Sequence, residues 1–395
     1  MENMQADIGI IGAGPAGLTT ALFLAKAGIP HVLIDRADFP RDKICGESYD
    51  GKVFHTLRRL RPNLPEDLVQ EGILRPAHRY TLTMPDGFCL PISFSPQSTP
   101  RLQGRRREFD ARLLQTLLEM NLTHWYPQTR VRKYQPDGDY WQVTSHNGRV
   151  FRFRQMVYAG GVTHRPSFLP TRTPKGDRLL FFRRYYHGLT QSEDIAFFLI
   201  PRPVKTCLVI CPLPGGLFNV EIGLRQKDYI RLQQPLSTWL SKIIQHPLLA
   251  DRLATAKAID KGQGTSLSLH QWSGPLSGKG WLLAGSAAIQ VNPITGMGVG
   301  NAMLMGRLAA KHLTHWSRQK DSGPADGIAG AYDREVRKSL RQEIRFSRWV
   351  TLLQQHHSWV TPLIRWLGNH PRVQHWLQQP DLVREFSYPA FYRRR

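Results

Sequence analysis

Six residues near the start of the chain, Gly12-Ala13-Gly14-Pro15-Ala16-Gly17, have the types and spacing to hold a pyrophosphate. In such a G-x-G-x-x-G turn each glycine serves a separate physical purpose. Gly12 allows the tight turn, Gly14 lets the backbone approach the phosphates, and Gly17 lets helix and strand pack closely. The segment after them has a helical pattern, so its free N–H groups and positive dipole end would face the anion. Asp35, about twenty residues on, can accept hydrogen bonds from ribose hydroxyls. The chemistry would be that of a flavin or nicotinamide dinucleotide enzyme.

Such a turn works only between a strand and a helix, and the flanking residues supply both. Ile8, Ile10 and Ile11 read as a buried strand, residues 18–27 as a helix, and residues 31–34 as a second strand ending at Asp35, which completes one βαβ unit. Farther along, Pro85-Asp86-Gly87 is a hairpin signal between residues 79–84 and 88–94. Arg107-Glu108-Phe109-Asp110 leads into a helix with Leu113, Leu114, Leu117 and Leu118 on one face. Residues 131–134, 141–145 and 150–154 read as a three-stranded meander, and residues 156–161 as a separate return strand. Residues 195–200, 206–211 and 218–223 are strand candidates for a substrate-facing sheet. Residues 280–285 read as another strand, and a Gly/Pro loop at 292–298 opens a helix over about 299–315.

These elements predict an α/β protein with a Rossmann-like, three-layer ββα dinucleotide domain, an inserted antiparallel substrate sheet and C-terminal helices. Residues 1–78, 101–177 and 272–320 are assigned to the first, residues 79–100 and 178–271 to the second, and residues 328–395 to the third.

Composition bounds the partners. The chain has 395 residues, 41% of them hydrophobic, enough for a large core, and a formal net charge of +23. That charge attracts acidic partners, anionic lipid headgroups or nucleic acid. The basic residues run from Arg36 to Arg395 without a nucleic-acid-binding motif, so no specific nucleic-acid partner is expected. Cys45, Cys89, Cys207 and Cys211 form no C-x-x-C pair and no zinc spacing, and His356-His357 has no matching ligand pair, so no metal is expected. Cys207 and Cys211, four apart on one strand, are expected in the core. With neither a charged leader with an h-region nor an apolar run of about eighteen residues, the expectation is a soluble cytoplasmic protein. A helix near 333–353 places Arg334, Arg337, Arg341, Arg345 and Arg348 on one side and Val336, Leu340, Ile344 and Val350 near the other. With Trp349, Trp359, Trp366 and Trp376 it could lie against an anionic membrane, or it could be an ordinary surface helix packed on the dinucleotide domain.

Two further segments carry a family resemblance. Phe39-Pro40-Arg41-Asp42-Lys43-Ile44-Cys45-Gly46-Glu47 and Thr295-Gly296-Met297-Gly298-Val299-Gly300-Asn301-Ala302-Met303, together with the Gly-rich turn, resemble the motifs of the geranylgeranyl reductase family, within the wider p-hydroxybenzoate hydroxylase-like FAD enzymes. The resemblance runs from residue 7 to about 310. It implies FAD as cofactor, with Gly12, Gly14, Pro15, Ala16 and Gly17 at the pyrophosphate, Asp35 at the adenosine ribose, and Arg36, Lys43, Cys45 and Gly46 at neighbouring groups. It further implies Arg107 as the cofactor-contacting arginine of an R-x-x-[FL]-D motif, Gly285 and Ser286 as the second flavin motif, and Pro293, Gly296, Met297 and Gly298 as the loop beside the isoalloxazine. Backbone N–H groups and a helix dipole there would stabilise the negative charge of reduced flavin.

The chain also departs from the family. Gly285-Ser286 stands where Gly-Asp is usual, and Ala159-Gly160-Gly161 where Ala-Asp-Gly is usual, so two flavin-side carboxylates are missing. The family's Tyr-x-Trp-x-Phe-Pro strand is replaced by residues 207–212, followed by Asn219-Val220-Glu221-Ile222-Gly223, which points to a changed substrate or reaction. Cys45 and Glu47 are the candidate catalytic residues. The thiol either handles substrate or simply packs, and the carboxyl is either a buried proton donor or a solvated loop group.

The resemblance implies an FAD-dependent oxidoreductase acting on an apolar, isoprenoid or polyketide-like molecule, foremost a reductase of carbon–carbon double bonds. A monooxygenase, a halogenase and a non-catalytic FAD-fold protein are the alternatives. No second dinucleotide fingerprint is visible, so NAD(P)H would bind transiently as electron donor or be replaced by another reductant. The expected partners are the apolar substrate and, at the periphery, an anionic membrane.

Overall fold

The computed structural model describes residues 3–93, 100–161, 166–169, 178–190, 194–268, 274–288, 298–319 and 327–355, with residues 362, 365, 366 and 370 beyond them. The isoleucine-rich start forms the strand Asn3–Ile11, with Ile8 and Ile10 fully buried. It lies parallel between His31–Ile34, with Gly9 opposite Val32, and Val150–Tyr158, with Ile10 opposite Val157. Thr123–Tyr126 extends this sheet in parallel on one side and Trp281–Leu283 on the other. The result is the expected Rossmann-like frame, inside an eight-stranded sheet.

Val150–Tyr158 is shared between two layers. Its first half pairs antiparallel with Tyr140–Ser145, which pairs in turn with Val131–Asp137; its second half pairs with Trp281–Leu283. The sequence pattern alone divides this stretch into two strands, at 150–154 and 156–161. The chain stays extended between them because Gln155, only 2% exposed, continues the ladder opposite Ile8. A polar residue in the middle of a run is a weak break when the strand is covered on both faces.

The helix Pro15–Lys26 opens on a proline in its first turn, where no N–H partner is lost. The long helix Gly298–Gln319 packs directly on it. A Cβ on Gly306 would come within 2.3 Å of the Ala16 carbonyl oxygen, and the Thr20 hydroxyl donates to that oxygen at 2.9 Å and to the Gly306 carbonyl at 3.2 Å. The helix Arg106–Leu118 buries Leu113, Leu114 and Leu117, but Leu118 is 38% exposed, past the edge of the buried stripe.

The second sheet, also eight-stranded, runs through Arg178–His187, Leu217–Arg225, Thr206–Pro212 and Ile195–Ile200 as antiparallel neighbours. The hairpin Arg79–Thr83 and Cys89–Ser93 joins beside Ile195–Ile200. One face of this sheet, with Phe198, Leu208, Ile210, Val220 and Ile222, is buried with Leu240, Ile243 and Leu249 of the helices Leu236–Ile243 and Pro247–Leu253. The other face turns toward the first sheet.

In the helix Gly327–Gln355, Tyr332, Val336 and Leu340 are buried, while Arg334, Arg337, Arg341 and Arg345 are exposed. The Tyr332 hydroxyl fixes the helix to the first sheet by donating to the Leu283 carbonyl at 2.7 Å. Trp366 is 60% exposed. The side chains of Ile344, Arg348, Trp349 and Val350, and Trp359 and Trp376 as a whole, lie outside the described residues. No helix among the described residues is long and apolar enough to cross a membrane.

Candidate functional site

The Gly-rich turn, the end of His31–Ile34 and the start of the meander enclose a cleft of about 340 Å³. The turn needs its glycines. Gly12 has φ +104°, and a Cβ there would fall 2.6 Å from the Ala159 carbonyl oxygen; a Cβ on Gly17 would fall 1.8 Å from the Gly12 carbonyl oxygen. Gly14 is different, because a Cβ there meets nothing closer than Arg41 Nη2 at 3.8 Å. Its bare side is space within the cleft, as a pyrophosphate against the backbone requires.

Asp35 stands at the other edge. Its carboxylate accepts from the backbone N–H of Ala13 at 2.6 Å and of Ala37 at 2.8 Å, one on each oxygen. It therefore ties the Gly turn to the strand end and keeps lone pairs for ribose hydroxyls.

Arg41, which enters the sequence argument only inside a motif, lines the cleft with one guanidinium edge committed. Nη2 reaches the Ala13 carbonyl at 3.4 Å and the Asp110 carboxylate at 3.3 Å, while Nη1 is buried with no partner among the described residues. An orphaned guanidinium donor at the mouth of a Gly-turn cradle suits a diphosphate. Arg41→Ala is expected to weaken FAD binding by about tenfold, in keeping with the loss of one charge-assisted hydrogen bond. Fluorescence titration of the apoprotein with FAD measures this, and unchanged affinity would remove Arg41 from the site.

Of the other expected cofactor residues, Pro15, Ala16, Arg36, Lys43, Gly285 and Ser286 also line the cleft. Burial and the nearby Arg106 charge hold the Lys43 ammonium below the usual lysine range. Gly285 has φ +66°, and a Cβ there would press on the Ala16 methyl at 2.9 Å.

The expectation for Arg107 needs correcting. Arg107 is exposed and does not line the cleft, whereas Arg106 does, with its guanidinium bound to both Asp110 oxygens at 2.8 and 2.6 Å. Counting R-x-x-F-D back from Phe109-Asp110 also arrives at Arg106. Helix geometry explains the difference, since the i, i+4 pair Arg106–Asp110 shares the inner face and Arg107 is turned about 100° away.

Cys45 and Gly46 lie outside the lining residues, as does Gly298, which opens the helix Gly298–Gln319. Pro293, Gly296 and Met297 lie outside the described residues. The first turn of that helix is nonetheless placed: a Cβ on Gly300 would fall 2.0 Å from Asp50 Oδ1, so the bare backbone there lies against a carboxylate. Asp50 caps the helix Gly51–Leu60 by accepting from Lys52 N–H at 3.1 Å, and Lys52 Nζ pairs with it at 2.8 Å.

The missing carboxylate at residue 160 has a structural counterpart. A Cβ on Gly160 would fall 2.5 Å from Tyr158 Oη, and Tyr158 and Gly160 both line the cleft. The phenol occupies the room that a side chain at 160 would use. Burial holds its pKa above the usual tyrosine range, so it stays a neutral donor at physiological pH.

A second cluster forms where the Cys45-Gly46-Glu47 loop meets the second sheet. Arg183 lies opposite Glu221 and Tyr185 opposite Asn219 on paired strands, so period-two alternation sets all four on one face. Glu47, fully buried and in left-handed backbone at φ 60°, is gripped by this block. Its Oε1 accepts from the Tyr185 hydroxyl at 2.7 Å and from Arg106 N–H at 3.2 Å, and its Oε2 accepts from Asn219 Nδ2 at 3.2 Å. Asn219 Nδ2 also donates to the Cys45 carbonyl at 2.9 Å. Of the two roles open to Glu47 from sequence, the structure therefore shows the buried carboxyl rather than the solvated one.

Glu221 Oε1 sits 3.9 Å from where a Gly46 Cβ would be, beside the same loop. Burial pushes both carboxyls up to about 7; Glu221 is raised further by the Glu47 charge, while the Tyr185 hydrogen bond and the Arg183 charge hold Glu47 down. The Arg183 side chain, fully buried, bridges Asp42 at 2.6 Å and Asp260 at 3.5 Å and stacks over the Tyr185 ring at 4.0 Å. Burial also raises the Cys45 thiol, which stays neutral. Cys211 is buried as expected, Cys207 half-buried, its thiol pushed up to about 12 by burial.

Around this cluster the face of the second sheet that looks toward the first is apolar. Tyr80, Leu82, Phe181, Phe197, Leu199 and Val209 are all half-buried, while their neighbours on the opposite face are core.

Comparison with known proteins agrees with the cleft. The model of a family described as an FAD binding domain matches residues 5–135. A menaquinone reductase from Mycolicibacterium smegmatis is 24% identical, covering 90% of this chain and 82% of its own. A brominase of pyrrole-2-carbonyl-[peptidyl-carrier protein] from Pseudoalteromonas luteoviolacea is 26% identical, covering 78% of this chain and 77% of its own. An FAD-dependent monooxygenase from Penicillium paxilli is 33% identical over only 41% of this chain and 34% of its own.

Among solved structures, a flavoprotein/dehydrogenase from Cytophaga hutchinsonii has a TM-score of 0.75 at 18% identity, covering 97% of this chain and 93% of its own. A flavin-dependent brominase has 0.74 at 19% identity, covering 99% and 100%. A geranylgeranyl bacteriochlorophyll reductase-like protein from Thermoplasma acidophilum has 0.68 at 18%, covering 85% and 84%. The chain is an FAD-dependent oxidoreductase.

Proposed function

We propose that this protein reduces a carbon–carbon double bond of an apolar, isoprenoid or polyketide-like molecule, as the geranylgeranyl reductase resemblance suggests. The observation that carries the reading is the apolar half-buried sheet face with Glu221 at its edge, beside the Cys45-Gly46-Glu47 loop. FAD held in the cleft would supply hydride chemistry. Saturating a double bond also takes a proton, and a carboxyl with a pKa of about 7 holds one at neutral pH. Glu221 is the proton donor in this reading. Glu47, whose oxygens are engaged by Tyr185, Arg106 and Asn219, orients the loop and sustains the raised pKa of its neighbour. Phe181, Phe197 and Val209 offer the substrate an apolar wall, and NAD(P)H acts as the transient donor from solvent. The name of the Mycolicibacterium relative, a menaquinone reductase, supports an apolar substrate and the reductive direction.

The test is an anaerobic incubation of FAD-loaded protein with NADPH or dithionite and a polyprenyl quinone or polyprenyl alcohol, read by mass spectrometry. A gain of two hydrogens without oxygen supports reduction. A product with an added oxygen atom, formed only when oxygen is consumed, would replace this reading with hydroxylation.

A further inference from the structure

A second, wider concavity lies on the helical side of the molecule, apart from the cofactor cleft. It has a volume of about 910 Å³ and is walled by the helices Pro15–Lys26, Gly51–Leu60, Gly298–Gln319 and Gly327–Gln355. Its cations are Arg59, Arg307, Lys311 and Arg318, and none of its lining residues among the described ones is acidic. Its apolar lining includes Phe23, Trp316 and Ile328. Beside it Glu335 accepts from Lys311 Nζ and pairs with His312 Nε2, both at 2.8 Å.

The positive charge continues beyond the concavity. Arg334, Lys338, Arg341 and Arg345 are all exposed and recur at spacings of four, three and four along Gly327–Gln355, which aligns them on one side over roughly 16 Å. The helix carrying most of the cations reaches the cofactor cleft at its other end, where Ala302 is a lining residue, roughly 14 Å from Lys311 along the axis.

We infer that this face docks on an anionic phospholipid surface, with headgroup phosphates held by Arg307, Lys311 and Arg318 and acyl carbon laid against the half-buried Phe23. Two features together select this occupant. An apolar floor under a cationic rim matches a headgroup joined to a chain, and the stripe that leaves the groove needs a counter-surface extended in two dimensions, which a bilayer provides. Of the C-terminal residues that are described, Arg365 pairs with Asp86 in the turn of the second sheet's hairpin at 3.2 Å and not with a residue lining the groove. The inference stands independently of the proposed reaction. Docking would bring an enzyme for apolar substrates to the phase that dissolves them.

The experiment is vesicle co-sedimentation of the full FAD-loaded chain on phosphatidylglycerol–phosphatidylcholine vesicles and on pure phosphatidylcholine. It compares the parent with Lys311→Glu/Arg318→Glu/Arg334→Glu and with Arg202→Glu/Lys205→Glu/Lys257→Glu, which makes the same charge change on the second-sheet domain. Thermal melts and flavin content report whether each variant is folded. Each basic residue near an anionic surface is worth about 1 kcal/mol, so the groove triple is expected to bind anionic vesicles on the order of a hundredfold more weakly, with the control triple close to the parent. Equal losses in the two triples would overturn the inference. So would a parent that ignores anionic vesicles, or one that binds an acidic peptide or RNA through these side chains and vesicles not at all. Because the readout is vesicle binding, failure of the proposed reaction leaves this result interpretable.

Discussion

Glu221→Gln is expected to slow substrate reduction by roughly 10²–10³-fold while FAD binds as tightly as before, since the side chain lies at the sheet face and not in the cofactor cleft. The pH profile separates proton donation from a merely structural effect. A carboxyl raised to about 7 is a competent donor below that pH and loses its proton above it, so parent turnover is expected to fall as pH rises through about 7. The amide variant should have a low rate without that limb. Stability follows the same sign. Glu47 and Glu221 both have folded-state pKa values above the ordinary carboxyl value of 4.5. Their favourable contribution is fully present below that value and is lost as pH rises through about 7, which predicts a falling Tm over that window and a smaller fall in Glu221→Gln. Glu47→Gln would behave differently. Replacing one carboxylate oxygen by an NH₂ sets a donor against the Tyr185 hydroxyl or the Asn219 amide, so the loop loosens and stability drops at all pH values. A Glu221→Gln enzyme turning over within twofold of the parent, with the limb near 7 intact, would end the assignment.

The cofactor cradle was legible in the sequence because its signals are local. Gly12, Gly14 and Gly17 act within one turn, and Asp35 closes the same βαβ unit through its hydrogen bond to Ala13. Arg41 and Arg106 were harder. Arg41 sits inside a motif whose pattern gives it no separate role, and in the Arg106-Arg107 pair only helix geometry tells the inner arginine from the outer one.

The second cluster depends on contacts the sequence does not specify. Tyr185 reaches Glu47 across 138 positions and Asn219 reaches it across 172. The available signal was the alternation in Asn219-Val220-Glu221-Ile222, where polar residues share one face while Val220 and Ile222 are fully buried on the other. Alternation gives two faces but not what each one meets, and a polar face on a strand usually meets water. Only the docking of the Cys45-Gly46-Glu47 loop on that face turns it into a candidate site.

Gly160→Asp, which restores the carboxylate usual at this position in the resembling family, is expected to weaken FAD binding by ten- to a hundredfold. The new Cβ would be placed 2.5 Å from Tyr158 Oη. The ring cannot easily yield, because Tyr158 is 2% exposed and packs edge-on against Tyr134 at 5.8 Å. Overpacking of this kind costs about 1–3 kcal/mol, and the strain falls on two residues that line the cleft. Removing the phenol should reverse the effect, so Tyr158→Leu/Gly160→Asp is expected to recover most of the affinity although it is less stable than the parent. Flavin titration measures the affinity and a thermal melt of the apoprotein measures the stability, which keeps the two apart. If Gly160→Asp alone bound FAD like the parent, Tyr158 would not be filling the place of the missing side chain. If the double variant were as weak as the single one, the phenol itself would be required for binding, and the exchange of a carboxylate for a neutral hydroxyl beside Arg36 would be a functional feature of this cleft rather than a packing accommodation.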